Sequence, residues 1–255
     1  MDMQDTVILE WTYTPSNYFE EPISIQRDDC LILMGDGRVT ATVLTKEYDQ
    51  EHHKRNQLHE YVESHFKAVL LTTYRYYELS KPSMPMVYSD GRQDVTLSLD
   101  CISATAIISD HVDLISTNSE GKILLDTKRE RIDSQQALAE LIAQIAPADP
   151  LVKKILSSFA TAIEDPKNEL VHLYEIRDAL SKHFGGDKVA RHELGISKHE
   201  WSRLGHLACG EPVRQGRHRG EHLGPLRVAS DDELHEARRL ARHFIEAYLK
   251  KGQLI

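Results

Sequence analysis

At 255 residues the chain is long enough for two domains and can bury a sizeable core without disulfide or metal staples. Hydrophobic residues make up 40% and charged residues 28%, which argues against wholesale disorder and against a membrane span, since no apolar run approaches eighteen residues. The net charge of -9 argues against a chain that is polyanion-binding throughout, but it hides an asymmetry. Residues 1–150 hold 13 Lys and Arg against 25 Asp and Glu, whereas residues 151–255 hold 18 against 15 together with 9 of the 14 histidines.

The acidic start Met1-Asp2-Met3-Gln4-Asp5 runs straight into a strand-like stretch and lacks the basic, then apolar pattern of a signal peptide. Cys30, Cys101 and Cys209 are far apart with no CxxC pair, as expected of reduced thiols. Together these lead to a cytoplasmic protein as the expectation.

The first part reads as mainly β. Thr6 to Thr14 is rich in β-branched and aromatic residues and is closed by Pro15. Cys30 to Met34 and Val39 to Leu44 flank Gly35-Asp36-Gly37-Arg38, a hairpin signal because glycine accepts the positive φ that such turns need. In Asp49 to Phe66 the residues Leu58, Tyr61, Val62 and His65 repeat at helical spacing, so this stretch is predicted to be a helix. Ala68 to Leu79 returns to β-branched and aromatic residues and is predicted to be strand, with Tyr74, Tyr76 and Tyr77 as cross-strand packing residues. Ser89-Asp90-Gly91 and Asn118-Ser119-Glu120-Gly121 are turn signals around strand-like Val95 to Ser109, Val112 to Ser116 and Lys122 to Thr127. Nothing in this region carries a phosphate-binding fingerprint, and His52, His53, His59 and His111 have no partner at ligand spacing.

From Asp133 the pattern is helical. Asp133 or Ser134 is a cap for a helix ending near Ile145, and Leu151 to Ile163 and Asn168 to Phe184 follow. Asp187 to Glu193 is a short helix closed at Gly195. Ser197 with Glu200 and Ser230 with Glu233 are capping-box signatures that open two more. The fold class is therefore α+β, with a mainly antiparallel β domain carrying one helix at 1–130 and a helical bundle at 131–255. The first would sense, recruit or regulate, and the second would carry the site.

Chemistry concentrates in Gly216-Arg217-His218-Arg219-Gly220-Glu221-His222, with Arg214 before it and Arg227 after. Guanidinium and imidazole groups at this density are more than a helix connection needs. Arg217-His218-x3-His222 resembles the signature of HEPN domains, helical bundles many of which are metal-independent RNases or toxins of bacterial defence systems. The resemblance covers residues 150–250. It implies RNA as substrate, a homodimer that completes the site, and no metal or other cofactor. His222 would then be general acid or base and Arg217 the phosphate clamp. His218 would share the catalytic role, with Arg214, Arg219 and Arg227 as further substrate contacts and Glu175 as an orienting carboxylate.

Two other readings use the same residues. Arg214, Arg217 and Arg219 could pair with Glu175, Asp178 or Glu221 and lock the loop onto the bundle, or bind an anionic partner without cleaving it. His218 to His222 also spells H-x-x-E-H, the inverted zinc-peptidase motif, which needs a helix where Gly216, Gly220, Gly224 and Pro225 oppose one.

Overall fold

A computed structural model describes residues 6–50, 53–83, 86–87, 93–94, 113–118, 122–221 and 224–253. The chain has an α+β layout and divides into two units: Met1–Phe66 with Tyr77–Gln136, and Lys67–Tyr76 with Ala137–Ile255. The expected strand Val95 to Ser109, the turn Ser89-Asp90-Gly91, and His52, His111 and Cys101 lie outside the described residues.

The first unit is built on a five-stranded antiparallel sheet. Its strands are β1 (Thr6–Thr14), β2 (Ile23–Gln26), β3 (Cys30–Gly35), β4 (Arg38–Leu44) and, after two helices, β5 (Glu78–Leu79), in the order β2-β3-β4-β1-β5. Burial alternates along them, because successive side chains of a strand face opposite sides. Leu9, Trp11 and Tyr13 of β1, Cys30, Ile32 and Met34 of β3, and Val39, Ala41 and Val43 of β4 are all buried. The β3–β4 turn takes Asp36 to φ 49° and Gly37 to φ 80°, the left-handed pair that a two-residue hairpin requires.

Two helices follow β4, where the sequence pattern gives one: α1 (Thr45–Gln50) and α2 (Lys54–Thr73). The first part of α2 covers the buried face of the sheet. Trp11 Nε1 donates to His59 Nδ1 at 3.0 Å, Tyr18 Oη donates to the Phe66 carbonyl at 3.0 Å, and the Tyr13 and Phe66 rings meet edge to face at 5.1 Å.

The strand expected over Ala68 to Leu79 is instead the end of α2 and a short coil, with only Glu78–Leu79 in the sheet. Burial overrides propensity here: Ala68, Val69, Leu70 and Leu71 are four consecutive buried residues, a run that a helix enclosed on several sides accepts as readily as a strand. The helix ends at Tyr74, whose φ of 58° lets its N–H bond the Leu70 carbonyl at 2.9 Å. The three tyrosines do not form one cross-strand row. Tyr77 packs with Tyr18 and Phe66, while Tyr74 packs with Phe159 and His235.

Two short pairs complete the strands: β6 (Met86–Val87) with β7 (Gln93–Asp94), and β8 (Ile115–Thr117) with β9 (Ile123–Asp126). The next helix, α3 (Thr127–Ile145), starts ahead of Asp133, because Asp126 Oδ1 already accepts the Arg129 N–H at 3.0 Å.

The second unit is helical. Its elements are α4 (Pro150–Glu164), α5 (Glu169–Phe184), α6 (Asp187–Leu194), α7 (Lys198–Gly205) and α8 (Asp231–Gly252). Asp149 caps α4 by accepting from Leu151 and Val152, and its other oxygen accepts from Tyr248 Oη at 2.8 Å. Both capping boxes are formed, Ser197 with Glu200 at α7 and Ser230 with Glu233 at α8. Gly185 at φ 78° and Gly195 at φ 66° end α5 and α6 in left-handed caps. The core joins Phe159 of α4, Leu173, Ile176 and Leu180 of α5, Trp201 of α7, and Leu240, Phe244 and Ile245 of α8. Among the described residues no helix is long and apolar enough to cross a membrane.

Candidate functional site

The segment 211–229 between α7 and α8 begins with a wide turn. His206–Gly210 continue α7 as one π-helical turn, which lets the Ala208 carbonyl face outward and accept the Arg217 N–H at 2.8 Å. Val213 and Arg227 then form a parallel bridge: the Arg214 N–H reaches the Arg227 carbonyl at 2.9 Å and the Arg227 N–H reaches the Pro212 carbonyl at 3.0 Å. Gly216 is buried in this closure. A Cβ there would stand 3.0 Å from the Ala208 carbonyl oxygen, so the close backbone approach depends on glycine.

The loop's side chains are anchored at several points. Arg217 donates from Nη1 to Asp178 of α5 at 2.9 Å and lies over the Tyr174 ring at 4.4 Å from its centroid. Arg219 donates to its own loop at the Gly216 carbonyl, 2.8 Å, and to Asn168 Oδ1 at 2.5 Å beside the start of α5. Arg227 forks onto Glu233 at 2.6 Å through both terminal nitrogens and reaches Glu211 at 3.0 Å. Arg214 turns back to the Leu226 carbonyl at 3.3 Å.

Two of these anchors mark the ends of one helix face. Asn168, His172, Glu175 and Asp178 follow each other at the three- and four-residue spacing of a single stripe along the start and body of α5. Arg219 holds its beginning and Arg217 its end.

The middle of the stripe is a polar network of its own. His172 lies 3.5 Å from Asp165 and 3.7 Å from Glu175, and Ser158 donates to Glu175 at 3.3 Å. Among the described residues Glu175 thus has Ser158 and His172 as partners, and the α5 carboxylate that Arg217 reaches is Asp178. His172 and Tyr174 escaped the sequence reading, although the stripe spacing from Asn168 to Asp178 carried the signal for His172. No sequence rule ties Tyr174 to an arginine 43 positions later.

His218 pairs with Glu221 at 2.6 Å across a single 3-10 turn, Arg219–Glu221, with 41% and 72% of the two side chains exposed. The helix required by the H-x-x-E-H motif is not formed over these residues, and among the described residues no cluster of three or more His, Cys, Asp or Glu is placed to hold a metal ion. His222 lies outside the described residues.

The charges titrate accordingly. The hydrogen bonds from Arg227 hold the Glu233 carboxyl down to about 2, from an ordinary 4.5, outweighing partial burial. Burial pushes up both the Cys209 thiol and the Tyr174 hydroxyl beside Arg217, so neither is poised as a nucleophile near neutral pH.

No protein-family model, curated protein or solved structure matches this chain.

Because Glu233 is depressed in the folded state, its pairing stabilises the fold fully above pH 4.5, and this stabilisation is lost as pH falls towards 2. Arg227→Ala is therefore expected to lower the melting temperature at pH 7, and the gap to wild type should close between pH 4.5 and 2. A gap that stays constant down to pH 2 would show that Arg227 acts through something other than Glu233.

Proposed function

We propose that this is a non-catalytic interaction protein, and that Arg217, Arg219 and Arg227 hold segment 211–229 onto the helical unit rather than act on a substrate. The observation that carries this reading is Arg217. Its guanidinium donates from Nη1 to Asp178 at 2.9 Å and rests its flat face on Tyr174, and its backbone N–H donates to the Ala208 carbonyl at 2.8 Å, so side chain and backbone are both anchored to the helical unit. A clamp for a scissile phosphate would turn both arms of its fork to phosphate oxygens, whereas here one arm is taken by Asp178. Arg227 is held more fully, with both terminal nitrogens on Glu233 and one of them also on Glu211.

A second reading, metal-independent RNA cleavage of the HEPN type, draws support from the exposed His218–Glu221 pair at 2.6 Å. A carboxylate that orients an imidazole in solvent is suitable for general acid or base work.

Incubation of the purified chain with total RNA and tRNA in EDTA separates the two. The proposed function expects intact RNA with wild type. It also expects Arg217→Ala to melt a few degrees lower, since losing a partly exposed ion pair and one cation–π contact costs roughly 1 kcal/mol. RNA cleavage by wild type that disappears in Arg217→Ala and His222→Ala, with unchanged melting temperatures, would establish the cleaving function instead.

A further inference from the structure

The outer face of α7 carries a second concentration of hydrogen-bond donors that the loop does not use, two of them cations, Lys198 and Arg203. Lys198, His199, Ser202, Arg203 and His206 line one open groove of about 530 Å³. They recur at positions i, i+1, i+4, i+5 and i+8, so they form one continuous face, while Trp201 and Leu204 turn the opposite face into the core.

Two of the five are held in place. Arg203 forks from Nε and Nη2 onto Glu236 of α8 at 3.0 and 2.8 Å, which leaves Nη1 outside those bonds. His206 Nε2 sits 3.0 Å from Glu211. Lys198 and His199 are exposed, and among the described residues neither has a hydrogen-bond or ion-pair partner. The Glu236 carboxyl is held below its usual range, first by the hydrogen bond from Arg203.

From these observations we infer that the α7 groove binds the phosphodiester backbone of a single-stranded nucleic acid. The groove runs the eight residue steps from Lys198 to His206, about 12 Å of helix. A single strand carries one phosphate per nucleotide, so donors spread over that length meet more than one phosphate.

Lysine, arginine and serine are ordinary donors to phosphate oxygens. The lining contains no Trp, Tyr, Phe or branched aliphatic side chain; its only rings are the imidazoles of His199 and His206. Imidazoles stack on any base, so recognition would be of the backbone, with stacking that is independent of sequence.

Fluorescence anisotropy with the full chain and a labelled single-stranded RNA of about a dozen nucleotides tests this. Binding is expected, weakening roughly sevenfold between 50 and 200 mM salt as about two phosphate contacts are lost to competing ions. Lys198→Glu should weaken binding about fivefold or more, whereas Lys154→Glu on α4, the same charge change on another exposed helix, should leave it unaltered. Equal affinity in the two variants, both folded by their melting curves, would overturn the assignment to this groove. So would binding of inorganic tripolyphosphate that Lys198→Glu abolishes, without any binding of RNA, because the ligand would then be a free polyphosphate.

Discussion

Replacing Arg238 by alanine is expected to destabilise the helical unit by about 3 kcal/mol, the usual cost of stripping one partner from a buried ion pair. Glu169 opens α5 and is only 1% exposed, yet it carries a carboxylate. Arg238 of α8 answers it with two parallel bonds, Nε at 2.6 Å and Nη2 at 2.8 Å, and lies above the Tyr74 ring at 5.6 Å. The pair is asymmetric, because Arg238 keeps 26% of its side chain in solvent while Glu169 keeps almost none. Removing the arginine therefore strands a charge with no route to water, whereas Glu169→Gln leaves a neutral amide and an arginine that can turn outward. Urea titrations of both variants should show the larger loss in Arg238→Ala. A larger loss in Glu169→Gln would mean that the arginine, not the carboxylate, is the group that cannot be left alone.

Phe244→Ala is expected to cost about 3–5 kcal/mol, through lost transfer energy and the cavity left behind. Phe244 is fully buried on α8, and its ring stacks on Trp201 of α7 at 5.1 Å with an interplanar angle of 26°. Trp201 is fixed in turn by the short helix whose capping box begins at Ser197. For a chain of this size the corresponding fall in melting temperature is roughly 10 °C, readable by scanning calorimetry. A loss below about 1 kcal/mol would show that α8 closes over the cavity, which a jigsaw core does not do.

How much of this was legible in the sequence depends on how local the cause is. Ser197 with Glu200 and Ser230 with Glu233 announced two helix starts, because the bonds that make a capping box lie within one turn. The β-branched and aromatic run from Thr6 to Thr14, closed by Pro15, likewise announced β1. The end of α2 was not legible: Ala68 to Thr73 is helical because the residues packed around it bury it, and β-branched Val69, Thr72 and Thr73 point the other way on propensity alone.

The loop divides in the same manner. Its unusual density of arginine and histidine marked it, and Asp178 stood among the carboxylates its arginines could reach. That Arg217 settles on Asp178 and Tyr174, 39 and 43 positions earlier, while Arg219 takes the Asn168 side chain, is decided by how α5 lies beneath the loop. No pattern in the chain encodes that choice.

Amide hydrogen exchange across 211–229 tests the docked loop most directly. The N–H groups of Arg214, Arg217 and Arg227 donate to the carbonyls of Arg227, Ala208 and Pro212. In wild type they should exchange far more slowly than in a free peptide, and in Arg217→Ala all three should speed up together, because the anchor on α5 is shared. Exchange at free-peptide rates in wild type would contradict a docked loop and free Arg217 to join the exposed His218 as a group available to a substrate.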